Sequence, residues 1–163
     1  MKTKLLIIIL LGLTFVSEGQ SLQLTHSDSV ILSNTWTEIV NALKEKNSDK
    51  LKEHCLKKID CTICISYEQI YKEPVDNFTV PVDTFVKHVF SFVPNSKLWT
   101  LIKSDEKQIF VSKIYQSDEL RYSVVFNTVK PGEMAPKHEG VSILFEFIKI
   151  KSEFRLISFD SVP

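Results

Sequence analysis

An α+β fold, with three helices from the N-terminal half packed on a curved and mainly antiparallel sheet, is predicted by three features of the 163-residue chain. The first is a pair of apolar stripes with helical spacing, Trp36, Ile39, Val40 and Leu43, then Val82, Phe85, Val86, Val89, Phe90 and Val93. The second is a run of apolar segments whose linkers are too short for anything but hairpins, which makes the pairing antiparallel. The third is the closing pair of strands, Val141 to Phe147 and Phe154 to Asp160, turned at Lys151-Ser152-Glu153. In the first of these two, apolar residues fall at every second position (Val141, Ile143, Phe145, Phe147), the period of a strand with one buried face. After Phe147 the parity moves to Ile148 and Ile150, which predicts a bulge there.

Residues 1–19 have the three-part layout of a cleavable export signal: Lys2 and Lys4, the apolar block Leu5 to Val16, then Ser17-Glu18-Gly19 with small residues before Gln20. The block is too short to span a bilayer, so no transmembrane anchor is expected, and the mature protein is placed in the periplasm or outside the cell. Removing those residues leaves 144, enough for one domain. The mature part keeps 18 basic and 19 acidic side chains, and near-neutrality excludes a nucleic-acid binder, which needs a basic face to displace counterions.

Residues 20–32 read as an extended polar leader, and residues 33–163 as a single domain. Ser33 and Asn34 offer a cap for the first helix, which ends near Asn47. Ser48 caps a second helix carrying Leu51, Cys55 and Ile59 at intervals of four. From Cys61 the period changes to two, with Cys61, Ile63, Ile65 and Tyr67 on one face of a first strand. Pro74 to Pro81 is read as a loop, followed by the third helix from Val82, which Pro94 stops. Strands are then expected at Lys97 to Lys103, Gln108 to Tyr115 and Glu119 to Val129, the last with Leu120, Tyr122, Val124 and Phe126 on its apolar face. The loop Pro131 to Gly140 leads into the closing hairpin.

This order of elements, with its tight Asn47-Ser48-Asp49 turn and its final hairpin Phe145-Glu146-Phe147 and Phe154-Arg155-Leu156-Ile157-Ser158-Phe159, resembles the nuclear transport factor 2-like superfamily, the cystatin-like cone fold. The resemblance spans residues 33 to 160 and rests on pattern and order. It implies a sheet curved around a long helix with a pocket at the wide end, and members include a steroid isomerase, polyketide cyclases, dehydratases, transport adaptors and secreted modules. It implies fold more than function.

On that reading the pocket is lined by Phe85, Val89, Tyr122, Phe126, Phe145 and Phe147. Glu146, with Leu144 and Ile148 beside it on its face, Asp160 and Tyr67 are the candidate catalytic groups. Trp36 stands where the isomerase would need a tyrosine donor. Three functions follow: a secreted or periplasmic binding module for a hydrophobic small molecule or a protein partner, a cofactor-free isomerase, cyclase or dehydratase using a pocket carboxylate, or a module that forms a homodimer through the open face of its sheet. No cofactor is called for.

Cys55, Cys61 and Cys64 admit a zinc site with His54, a redox Cys-x-x-Cys pair, or a structural disulfide. Strand parity puts Cys61 and Cys64 on opposite faces, which opposes a metal site, and an oxidising compartment favours closure. The expectation is a Cys55–Cys61 disulfide with Cys64 free, because both side chains face inward on the predicted helix and strand.

Overall fold

A computed structural model describes residues 22, 24–65, 78–114 and 117–163. In chain order the elements are α1 (His26–Glu45), α2 (Ser48–Glu53), β1 (Cys55–Asp60), a 3₁₀ turn (Thr62–Cys64), β2 (Thr79–Pro81), α3 (Val82–Phe92), a second 3₁₀ turn (Val93–Asn95), α4 (Lys97–Lys103), β3 (Gln108–Lys113), β4 (Leu120–Val129), β5 (Val141–Ile150) and β6 (Glu153–Val162). The strands form one open sheet in the order β2-β1-β6-β5-β4-β3. All pairings are antiparallel except β1 with β6. The α+β class and the closing hairpin stand as expected.

Helix α1 begins inside the stretch read as an extended leader. Thr25 is its N-cap, its hydroxyl accepting from the Asp28 amide at 3.1 Å, and the stripe runs back from Trp36 through Leu32 to Asp28. Asp28 hid this first turn, because a carboxylate does not count as a core residue unless its partner is known. That partner is Lys149 of β5, whose Nζ lies 2.5 Å from Asp28 Oδ1.

Helix α2 ends at Glu53, before the Cys55 and Ile59 that were expected on it. His54 is its C-cap and the chain enters β1 at Cys55, which pairs with Leu156, while the Leu156 amide donates to the His54 carbonyl at 2.7 Å. Cys55 and Ile59 are four apart and share a face in a helix and also in a strand, so their spacing did not separate the two. Where a strand was expected, the chain from Cys61 makes a 3₁₀ turn, and β2 occupies the end of the segment read as a loop, with Val80 opposite Ile59. The same ambiguity produced the expected strand at Lys97 to Lys103. It is α4, and its buried residues Leu98 and Ile102 are again four apart.

The expected bulge in β5 lies instead on β6. Glu146 pairs with Ser158 and Phe147 with Leu156, leaving Ile157 as the extra residue. Strand β5 therefore keeps its parity: Ile143, Phe145, Phe147 and Lys149 face the helices, and Leu144, Glu146 and Ile148 face outward.

The core lies between the helices and the inner face of the sheet. Trp36 of α1 packs against Phe126 and Phe145 with ring centroids 5.6 and 5.0 Å away, and Phe159 bridges Phe145 at 4.7 Å to Phe85 of α3 at 5.9 Å. Tyr122 meets Phe154 edge-on at 4.8 Å. Offset and edge contacts of this kind hold aromatic rings in one arrangement.

Candidate functional site

Every residue expected to line the pocket is part of this core. Phe85, Val89, Tyr122, Phe126, Phe145 and Phe147 are between 0 and 4 % exposed, and Trp36 fills the space in front of Phe126 and Phe145. The sheet curves around α1 and α3, and aromatic side chains from both layers interdigitate there. Burial pushes the Tyr122 phenol above its usual range, with the charge of Asp28 adding to the effect and Lys149 offsetting it. Hydrogen bonding to Lys149 holds the Asp28 carboxyl below its usual range.

The candidate acids lie elsewhere. Glu146 has outward parity and is held by Arg121 of β4, whose Nη1 donates to Oε2 at 2.9 Å, with the Ser123 hydroxyl 3.4 Å from Oε1. Asp160 accepts from the Thr62 hydroxyl and from the Ser161 amide. Neither carboxylate faces the helices, so neither is the base of a pocket on the concave side. Tyr67 lies outside the described residues.

Around Glu146 the outer face carries a belt of apolar side chains. Phe110 of the edge strand β3 stands opposite Ser123, and Val125 of β4 stands opposite Leu144 of β5. Phe110 is 54 % exposed, Val125, Leu144 and Ile148 are half-buried, and Ile150 and Val162 are exposed at the ends of the hairpin. The Arg121–Glu146 ion pair sits within this belt, and the buried Arg121 Nε has no hydrogen-bond partner among the described residues. Arg121 and Phe110 were not singled out from the sequence. Their relation to Glu146 is one of cross-strand register, which has no local signature.

Concavities among the described residues open away from the core. A groove of about 1010 Å³ runs between α4, the start of β3 and the loop after β4, lined by Leu101, Gln108, Asn127 and Pro131. Its lining also includes Lys97, Lys107 and Lys130 together with Glu106 and Glu133. A cleft of about 460 Å³ lies between α1, the end of α2 and the start of β6; it contains Thr35, Glu38, His54 and Arg155, with His54 Nε2 3.3 Å from Glu38 Oε2. Among the described residues, no group of three or more His, Cys, Asp or Glu side chains is placed to hold a metal ion. No described helix is long and apolar enough to cross a membrane.

The disulfide joins Cys61 to Cys64, with Cα atoms 5.3 Å apart, and Cys55 is the free thiol. The expected Cys55–Cys61 bridge is corrected by the 3₁₀ turn, which brings residues three apart onto one side where a strand would have separated them. Cys55 donates instead to the Leu51 carbonyl at 3.2 Å, and burial pushes its thiol up to about 12.

No family model matches the chain, and no curated protein matches it. Among solved structures it is similar to a substituted form of Rd1NTF2_05, at 12 % identity and a TM-score of 0.45 over 83 % of this chain and 99 % of that one. It is also similar to a protein of unknown function with a cystatin-like fold from Nostoc punctiforme, at 10 % identity and a TM-score of 0.43 over 87 % and 96 % of the two chains. A candidate dehydratase of the NTF2-like family from Streptomyces avermitilis is similar at 12 % identity and a TM-score of 0.42 over 84 % and 96 %.

Proposed function

We propose that the protein is an exported interaction module that works as a homodimer, two copies meeting through the outer faces of their sheets. The observation that carries this reading is the contrast between the two faces. The inner face is filled by its own aromatic side chains, while the outer face keeps Phe110 54 % exposed beside Val125, Leu144 and Ile148. A second copy is the occupant whose chemistry matches. The charges on this face are paired within the chain, Arg121 with Glu146 and Arg155 with Glu153, while Asp160 accepts from Thr62, so the face has no strong excess of either sign; the buried Arg121 Nε keeps no hydrogen-bond partner among the described residues. A mixed apolar face around a neutral centre is complementary to its own two-fold image. The Lys2 to Gly19 signal layout and the Cys61–Cys64 bridge support export to an oxidising compartment.

Sedimentation equilibrium of residues 20–163 tests the reading. The expected result is a dimer that Phe110→Glu converts to a folded monomer, because the substitution places an unpaired charge at the interface. A wild-type protein that stays monomeric at high micromolar concentration overturns it.

The groove beside α4 favours a second reading, a binding site for a small amphiphilic carboxylate. Leu101 and Pro131 supply apolar wall and Lys130 supplies a cation, beside Lys107, which is paired with Asp105, and Lys97, which is paired with Glu133. Chemical-shift changes confined to these residues on titration with a medium-chain fatty acid are the expected result, and no change at any concentration below its micelle point removes the reading.

A further inference from the structure

The Cys61–Cys64 bridge spans only three positions in the sequence and sits in a turn that does not need it. The Cys61 amide donates to the Phe78 carbonyl at 2.9 Å, the Cys64 amide to Cys61 at 3.2 Å and the Ile65 amide to Thr62 at 3.2 Å. The Thr62 hydroxyl further ties the turn to Asp160 on β6. A cross-link stabilises chiefly by removing freedom from the unfolded chain, and so short a ring removes little. With the geometry already set by hydrogen bonds, the bridge contributes little as a structural staple.

Its two ends are unequal. Cys61 is fully buried, whereas Cys64 is partly exposed, so of the two sulfurs Cys64 belongs to the more accessible residue. The third cysteine does not compete. Cys55 is tied to the Leu51 carbonyl, and its thiol, pushed up to about 12, stays protonated in the range where thiolates exchange.

We propose that Cys61–Cys64 is an exchangeable disulfide that accepts two electrons from a thiol substrate, with Cys64 as the sulfur attacked. A substrate thiolate forms a bond to Cys64 Sγ as the Cys61–Cys64 bond breaks. The departing electron pair stays on Cys61 Sγ, which takes up a proton. A second substrate thiolate then attacks the substrate-side sulfur of the mixed disulfide and releases Cys64 as its thiolate. The substrate is oxidised to a disulfide and the protein is reduced to a dithiol, so that atoms and electrons balance without a metal or other cofactor. The hydrogen bonds of the turn and its tie to Asp160 persist through the exchange, which keeps the reduced domain folded.

The test is a titration of residues 20–163 with mixtures of reduced and oxidised glutathione, followed by alkylation, mass spectrometry and near-ultraviolet circular dichroism on the same samples. The expected result is reversible, paired alkylation of Cys61 and Cys64 with an unchanged dichroism spectrum. The variant Cys61→Ser should trap a glutathione adduct on Cys64 at least about ten-fold faster than Cys64→Ser traps one on Cys61. A bridge that stays oxidised until denaturant unfolds the domain overturns the proposal, as does reduction that abolishes the dichroism signal. An adduct that forms faster on Cys61 refutes Cys64 as the point of attack. Should either variant fail to fold, the wild-type titration decides on its own.

Discussion

Lys149 Nζ lies 2.5 Å from Asp28 Oδ1, joining the first turn of α1 to the sheet across 121 residues of sequence. The carboxylate is largely buried and the ammonium about one-third exposed, so the pair fixes where α1 starts as well as how it lies on β5. Lys149→Met should cost about 1 to 3 kcal/mol, because it leaves Asp28 desolvated without its partner. Urea unfolding at pH 7 measures it. A double variant with Asp28→Asn should recover much of the loss, and full additivity of the two single changes would refute the coupling.

The same pair makes stability depend on acid. The folded-state carboxyl is held below the ordinary 3.8 of an aspartate, so the native state releases its proton more readily than the unfolded chain does. Its contribution is therefore complete above about pH 4 and is lost as pH falls through the folded value. In Asp28→Asn the acid limb of the stability curve below pH 4 should be shallower than in the wild type.

His88 works in the adjacent window. It stacks on Phe92 at 5.7 Å, its Nε2 has no hydrogen-bond partner among the described residues, and burial lowers its pKa from 6.5. The unfolded chain takes up the proton first, so stability should begin to fall as pH drops below about 6.5. His88→Phe should flatten the curve between pH 7 and 5 as read by thermal unfolding. An unchanged slope would show that His88 charges freely in the native state.

Phe126 separates a filled interior from an open one. It is 1 % exposed and lies between Trp36 and Phe145, so Phe126→Ala should cost about 3 to 5 kcal/mol. It should also create a cavity that takes up a small apolar probe such as benzene or xenon, which the wild type does not bind at that site. Wild-type binding in contact with Trp36 would restore the pocket reading.

Gly140 ends the loop before β5 at φ 98°, where a Cβ would stand 2.6 Å from the Val129 carbonyl oxygen. Gly140→Ala should therefore destabilise by about 2 to 3 kcal/mol, combining an unfavourable backbone conformation with a clash that backbone movement must relieve. Gly132→Ala, at φ 78° but with no atom within 4 Å of the added carbon, should cost about 1 kcal/mol. Equal effects would mean that the clash is relieved by a loop shift, visible as changed amide shifts at Val129 and Lys130.

The sequence by itself determined what depends on spacing along the chain. The stripe from Val82 to Phe90 made α3, Pro94 ended it in a tight turn, and the alternation in β4 and β5 placed Tyr122, Phe126, Phe145 and Phe147 on the inner face. Tertiary structure decided whatever depends on a partner distant in sequence. Leu98 with Ile102, and Cys55 with Ile59, share a face in a helix and a strand alike; contact with the rest of the core made the first pair α4 and the second pair β1. Asp28 joined the helical stripe because Lys149 reaches it, and Glu146 became half of an outward ion pair because Arg121 neighbours it across the strands. Periodicity records which side chains face the same way, and neither their partners nor whether the space before them is full is written in it.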